Sequence, residues 1–183
     1  VLMLICQPGW LTTTKAQGCS DAGVCTIDAF KPAIKAGPAT QQNKIEGGFN
    51  VGAADYGITV FGGYLGYSHD FSDTWSLDSK FTFLSQSGND VSVIGPGDLF
   101  LNLNYDFTET FTISAGAKIP FTHADKSYDG LPLPMDYQSS LGTLDILAGL
   151  RFNPKHWQWA LAAQVPVRQN DNQFFPGLYP PGS

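Results

Sequence analysis

The sequence predicts an all-β fold of antiparallel strands, and three observations predict it. The first is unbroken alternation over residues 98–122. Leu99, Leu101, Leu103, Tyr105 and Phe107 fall on one face of a strand, with Asp98, Asn102, Asn104 and Asp106 on the other. After Thr108-Glu109-Thr110 the alternation resumes: Phe111, Ile113, Ala115, Ala117, Ile119 and Phe121 oppose Thr112, Ser114, Gly116, Lys118 and Thr122. A period of two on both sides of a short polar break is a hairpin. The second observation is that the design recurs. Phe71/Trp75, Phe107/Phe111 and Phe152/Trp157 each bracket a short polar turn, with three, three and four residues between them. The third is composition. The 183 residues are 43% hydrophobic and 13% aromatic but only 14% charged, and 20 are Gly; a soluble domain averages about 25% charged. Such a sheet has little outer surface built to meet water.

Residues 1–18 are expected to be the remnant of a signal peptide. The sequence opens on Val1, and residues 1–6 resemble the tail of an apolar signal region. Ala16-Gln17-Gly18 has the small-x-small form of a cleavage site. The charged start of such a signal is missing, so the sequence reads as a fragment of a longer product. The alternative is a buried N-terminal strand. Residues 19–42 follow as an irregular, plug-like segment. Cys19 and Cys25 enclose Gly23, and in an exported chain this spacing favours a disulfide. A lipid on Cys19 is the competing reading, disfavoured because Ala16 stands where a lipobox usually has Leu. Pro32 and Pro38 remove ladder donors, while Val24, Ile27, Phe30 and Ile34 are more apolar than a free tail would be, so they are expected to find cover; the alternative is a disordered periplasmic tail.

Strands occupy residues 43–170. Ile45, Phe49 and Val51 alternate with Lys44, Glu46 and Asn50. Phe61, Leu65, Tyr67 and Phe71 alternate with Gly62, Tyr64, Ser68 and Asp70. Beyond Ser72-Asp73-Thr74, Trp75, Leu77, Phe81 and Phe83 oppose Ser76, Asp78, Lys80 and Thr82. Residues 88–97 read as a long loop before the central hairpin, and residues 124–140, with Pro132 and Pro134, as a second. Leu144, Ile146, Ala148, Leu150 and Phe152 then oppose Thr143, Asp145, Gly149 and Arg151. Past a turn at residues 153–156, Trp157, Trp159, Leu161, Ala163, Val165 and Val167 oppose Gln158, Gln164 and Arg168. Residues 171–183 read as a polar, Pro-rich loop.

Short turns at one end, long loops at the other and an aromatic girdle above the short turns describe an up-and-down transmembrane β-barrel. The girdle is Phe71, Trp75, Phe107, Phe111, Phe152 and Trp157. The expected lumen-facing residues are Glu46, Asp78, Lys80, Asp98, Asp106, Lys118, Asp145, Arg151 and Arg168. Centring the organising turn on Glu109 pairs residue 100 with 118 and sets Lys118 diagonal to Asp98. These charges are expected to brace the lumen. About seven strands are counted. Bacterial single-chain barrels close with an even number, and the sequence stops at Pro180-Pro181-Gly182-Ser183, so the barrel is expected to be incomplete in this fragment.

Other chemistry finds little support. Ten Lys+Arg stand against 16 Asp+Glu, for a net charge of −6, with no basic run to hold nucleic acid. No apolar stretch reaches the length of a transmembrane helix, which leaves barrels untouched. His69, His123 and His156 share no ligand spacing with one another or with the cysteines. There is no G-x-S-x-G elbow, P-loop or dinucleotide fingerprint. No catalytic residue, metal site or cofactor is expected.

The segment Cys19-Ser-Asp-Ala-Gly-Val-Cys25-Thr-Ile, the up-and-down strands and the segment Tyr137-Gln-Ser-Ser-Leu-Gly-Thr-Leu-Asp145 resemble a group of exported Gram-negative outer-membrane barrels. That group is distantly similar to the long-chain fatty-acid and aromatic-hydrocarbon transporter barrels. The resemblance covers most of residues 19–170. It implies a place in the outer membrane among lipid partners. It also implies passive passage of a small molecule, a hydrophobic one among the candidates, and an N-terminal plug in the lumen. The alternatives are a non-transporting structural or adhesive barrel and a soluble β-sandwich binding module.

Overall fold

A computed structural model describes residues 43–53 and 57–175. The expectations for residues 1–18, for the Cys19–Cys25 loop and plug, and for the end of the C-terminal loop lie outside the described residues.

The fold is all-β. Seven strands form one antiparallel sheet: β1 (Asn43–Ala53), β2 (Thr59–Asp70), β3 (Trp75–Gly88), β4 (Val91–Thr108), β5 (Phe111–Pro120), β8 (Leu144–Phe152) and β9 (Trp159–Arg168). Between β5 and β8, the two-residue strands β6 (Ser127–Tyr128) and β7 (Leu131–Pro132) make a separate small hairpin, followed by a turn of 3-10 helix at Met135–Tyr137. The sheet order is β1-β2-β3-β4-β5-β8-β9, so sheet neighbours follow chain order throughout. The sheet is not closed. β1 and β9 are its two edges.

The two faces differ as the alternation requires, but with the polarity of a water-soluble sheet reversed. The side chains of Phe49, Leu65, Leu103, Ile113, Ile146, Leu150 and Leu161 are exposed. Opposite them, Thr82, Asp98, Asn102, Asn104, Thr112, Ser114, Lys118 and Asp145 are buried. That face is buried by packing across neighbouring strands and by the β5–β8 connection lying against it. Phe100 on β4 and Leu147 on β8 pack together there, with Ala162 of β9 against them, although β5 lies between β4 and β8. On the outer face aromatics share the space over Gly63, which faces both Phe49 and Phe83 in the ladder. Phe61 stacks on Phe49 at 6.3 Å and lies 6.4 Å from Phe83.

Two of the short turns are built identically. The Ser72 hydroxyl accepts the backbone N–H of Thr74 and Trp75, at 3.3 and 3.1 Å. The Thr108 hydroxyl accepts those of Thr110 and Phe111 at the same distances. A Ser or Thr hydroxyl that takes up the next free N–H groups fixes a turn locally. The recurring pattern of hydroxyl, acid, Thr and aromatic is therefore a turn device. The aromatics it places are half-buried or exposed on the outer face: Phe71, Trp75, Phe107 and Phe111. At the third turn the ladder pairs Phe152 with Trp159, and Trp157 stands one step beyond it within the turn.

Two expectations about loops are corrected. Residues 88–97 are not a long loop. β3 and β4 continue as a ladder to Gly88↔Val91, joined by Asn89 and Asp90. Both residues have positive φ, 50° and 62°, the conformation that a tight primed hairpin turn demands and that Asn and Asp tolerate best. Gly95-Pro96-Gly97 lies where the register slips between Phe81 and Phe83, with Pro96 opposite Phe83. Pro and Gly are at home in such a bulge. The extra residue also reverses the faces, so Val91, Val93, Gly95 and Gly97 turn inward and Ile94 outward. Loop length therefore separates the two ends of the sheet less cleanly than the sequence suggests. Residues 124–140 do connect β5 to β8 at length, but they fold back against the inner face instead of standing clear of it.

Candidate functional site

The candidate site is the buried inner face with the segment that covers it. Nearest the short turns, the Thr112 hydroxyl donates to Asp106 Oδ1 at 2.6 Å and accepts from Arg151 Nη2 at 2.9 Å, with Arg151 Nη2 3.8 Å from Asp106. The next row runs across three strands. Asn104 Nδ2 donates to Asp78 Oδ2 at 2.6 Å, and its Oδ1 accepts from the Ser114 hydroxyl at 2.6 Å. Lys80 Nζ lies 4.2 Å above the ring of Tyr64. Each row follows from register: Asp106↔Thr112↔Arg151 and Asp78↔Asn102 with Asn104↔Ser114 are ladder positions on one face.

Toward the other end the face is drier. Lys118 pairs with Asp145 directly across the β5–β8 ladder, Nζ to Oδ2 at 2.8 Å, with both side chains at most 3% exposed. Lys118 also donates to the Thr143 hydroxyl at 2.9 Å, and Gln164 donates to Asp145 Oδ2. The expected register of residue 100 opposite 118 is present, yet the ion-pair partner of Lys118 is Asp145. Asp98 accepts instead from the Ser140 hydroxyl at 2.5 Å. Burying both charges of a pair is costly unless geometry and further hydrogen bonds compensate, and here Thr143 and Gln164 supply them.

The remaining expected lumen residues stand at the edges. Glu46 on β1 is half-exposed and paired with Lys44 at 2.9 Å. Arg168 is exposed at the end of β9, past the register shift between Leu144 and Asp145. Neither is brought into the buried network.

The sequence reading missed the cover. Gln138, Ser139 and Ser140 are each at most 2% exposed although they belong to a loop. The carbonyl of Gln138 accepts from Gln86 Nε2 at 2.9 Å, and Tyr137 Oη donates to the Gly88 carbonyl at 2.9 Å. Gln138 also holds the loop's own backbone, donating to the Lys126 and Leu133 carbonyls, each at 3.1 Å. Lys126 Nζ donates to the Ile94 carbonyl at 3.1 Å, and partial burial lowers its pKa against the raising effect of Asp125. Ile58, Leu133 and Tyr137 form an apolar cluster with Val60, Val91 and Val93. Glycine at residue 97 makes the seat. A Cβ there would meet the Thr82 hydroxyl and come within 3.1 Å of the Ser139 carbonyl oxygen. The segment at residues 137–145, conspicuous in the sequence, is thus the part of the loop that meets the sheet. The signal that it folds inward was its run of small polar residues beside Gly95-Pro96-Gly97.

Among the described residues no group of His, Cys, Asp and Glu is arranged to hold a metal ion, and no helix is long and apolar enough to cross a membrane. The fold and face define a class: an open antiparallel sheet with one exposed apolar face and one buried, largely polar face. Compared with known protein families, characterised proteins and solved structures, the chain matches none.

Proposed function

We propose that this chain forms the wall of a transmembrane β-barrel in an outer membrane, and that the barrel passes a small molecule passively. One observation carries the reading: large apolar side chains are exposed on the outer face of every strand of the main sheet, while the inner face buries hydrogen-bonded polar and charged groups. Soluble antiparallel sheets turn their apolar face inward, and an exposed apolar surface this extensive marks contact with lipid or another protein. Aromatics at the short-turn end suit the headgroup level. Strands of 9 to 18 residues reach the roughly 9–11 residues that a tilted crossing needs. In lipid the outer edges of β1 and β9 require ladder partners, because unpaired backbone groups are not tolerated there. The sequence resemblance to exported barrels points the same way.

A structural or adhesive barrel is the second reading. It is favoured by the dry Lys118–Asp145 pair and by Phe100 and Leu147, which pack together on the inner face. The test uses full-length protein expressed in a Gram-negative host. It should stay in the membrane pellet after carbonate washing, require detergent for extraction, and make reconstituted liposomes permeable to small solutes. Release without detergent would overturn the membrane reading. Tight liposomes containing folded protein would leave the structural barrel in place of the channel.

A further inference from the structure

We propose that the β5–β8 loop is a latched constriction, closing the inner face at the long-loop end and admitting a solute only when it is released from β3 and β4. The proposal rests on the reading of the inner face as a passage. The loop's placement carries it. A connection at the mouth of a sheet is ordinarily exposed, yet Leu133, Tyr137, Gln138, Ser139 and Ser140 are buried against the inner face. Separate hydrogen bonds attach it, from Tyr137 to the Gly88 carbonyl, Asn89 to the Tyr137 hydroxyl, Gln86 to the Gln138 carbonyl, Ser140 to Asp98 and Lys126 to the Ile94 carbonyl, beside the apolar contact of Leu133 and Tyr137 with Ile58, Val60, Val91 and Val93. Gln86 Oε1 and the Ser139 hydroxyl are buried at the contact without a partner, so the polar part of the seat is incompletely satisfied.

The base of the loop is built to let it move as one piece. Ala124 and Gly142, near its two ends, both have positive φ, 58° and 69°. They lie close together: a Cβ on Gly142 would lie 2.6 Å from the His123 carbonyl carbon. Segments whose ends meet and whose side chains pack internally behave as compact units. Here the internal bonds run from Gln138 to Lys126 and Leu133. The bonds to the wall and the bonds within the loop are thus different sets, so the first can break while the second hold. Asn172 Nδ2, beyond β9, donates to the Ala124 carbonyl at 2.8 Å and to the Leu133 carbonyl at 3.2 Å, so it tethers both the base and the loop itself from outside.

The test labels one position in the full-length protein, with Cys6, Cys19 and Cys25 changed to Ser. Ser139→Cys should react with a charged methanethiosulfonate reagent roughly tenfold or more slowly than Asp129→Cys at the exposed tip, because labelling requires local opening. Adding Gln86→Ala and Tyr137→Phe should speed labelling of Ser139→Cys by about tenfold or more, leave Asp129→Cys unchanged, and raise liposome permeability. Either substitution alone serves where the pair unfolds the sheet, as judged by circular dichroism. Fast labelling of Ser139→Cys with the latch intact, or a rate indifferent to the latch substitutions, overturns the latch. Permeability that is present but unmoved by a released latch overturns the constriction. A released latch in liposomes that never leak overturns the passage reading instead, and with it the gating role.

Discussion

Removing one member of the Lys118–Asp145 pair should be among the most damaging single changes in the strands. The ammonium and carboxylate are 2.8 Å apart and nearly sealed from solvent. At an effective dielectric near 20, Coulomb attraction at that distance is about 6 kcal/mol, and desolvation of the two ions takes back much of it. Asp145→Ala leaves the Lys118 ammonium with the Thr143 hydroxyl as its remaining hydrogen-bond acceptor. Breaking a buried pair costs about 3–5 kcal/mol, and Asp98, whose carboxylate also acts on Lys118, holds the loss toward the low end. Lys118→Met should cost a similar amount, since it strands a carboxylate whose Oδ1 already lacks a partner. Lys118→Met combined with Asp145→Ala should recover much of the loss, because two apolar side chains need no ionic partner. Urea unfolding of the full-length protein in lipid vesicles, followed by tryptophan fluorescence, gives all corners of the cycle. A loss below about 1 kcal/mol for Asp145→Ala, the size seen for solvated pairs, would refute the reasoning and show that water reaches the pair.

Leu101 lies on the outer face between Ser79 and Ala117. Leu101→Arg should destabilise by about 2–4 kcal/mol if the site is near the bilayer midplane; refolding titrations into liposomes that show no loss would place Leu101 outside lipid. Gly97→Ala should destabilise by about 1–3 kcal/mol through overpacking of the loop seat. A methyl group there crowds Thr82 and the Ser139 carbonyl, and an unchanged melting temperature would show that the seat yields freely.

Much of the sheet was legible because its code is local. Alternation set the faces of β1, β2, β3, β5, β8 and β9 and of β4 from Asp98 onward, and the turn centred on Glu109 set the 100↔118 register. What was not legible depends on pairs distant in the chain. Asp145 meets Lys118 only once β8 docks on β5, and no local period announces that register. Asn89-Asp90 and Gly95-Pro96-Gly97 carry loop-forming residue types, yet the first makes a tight turn and the second a bulge inside a continuing ladder. The inward fold of residues 133–143 had no period to reveal it. Its cue was complementarity: polar side chains on the loop, and a strip of wall cleared by glycine.

The agreement of sheet order with chain order has a consequence for the route to the folded state. Each ladder from β1 to β5, and the β8–β9 ladder, closes only a short connection, so these hairpins can zip one after another at little entropic cost. The β5–β8 ladder is different: it must close about 23 residues, and the logarithmic law of loop closure adds about 1.6 kcal/mol relative to a four-residue turn. That junction is the natural late step. The first five strands and the β8–β9 hairpin would form as two partners within one chain, and the loop that joins them, once seated on β3 and β4, draws the second partner into register on the first.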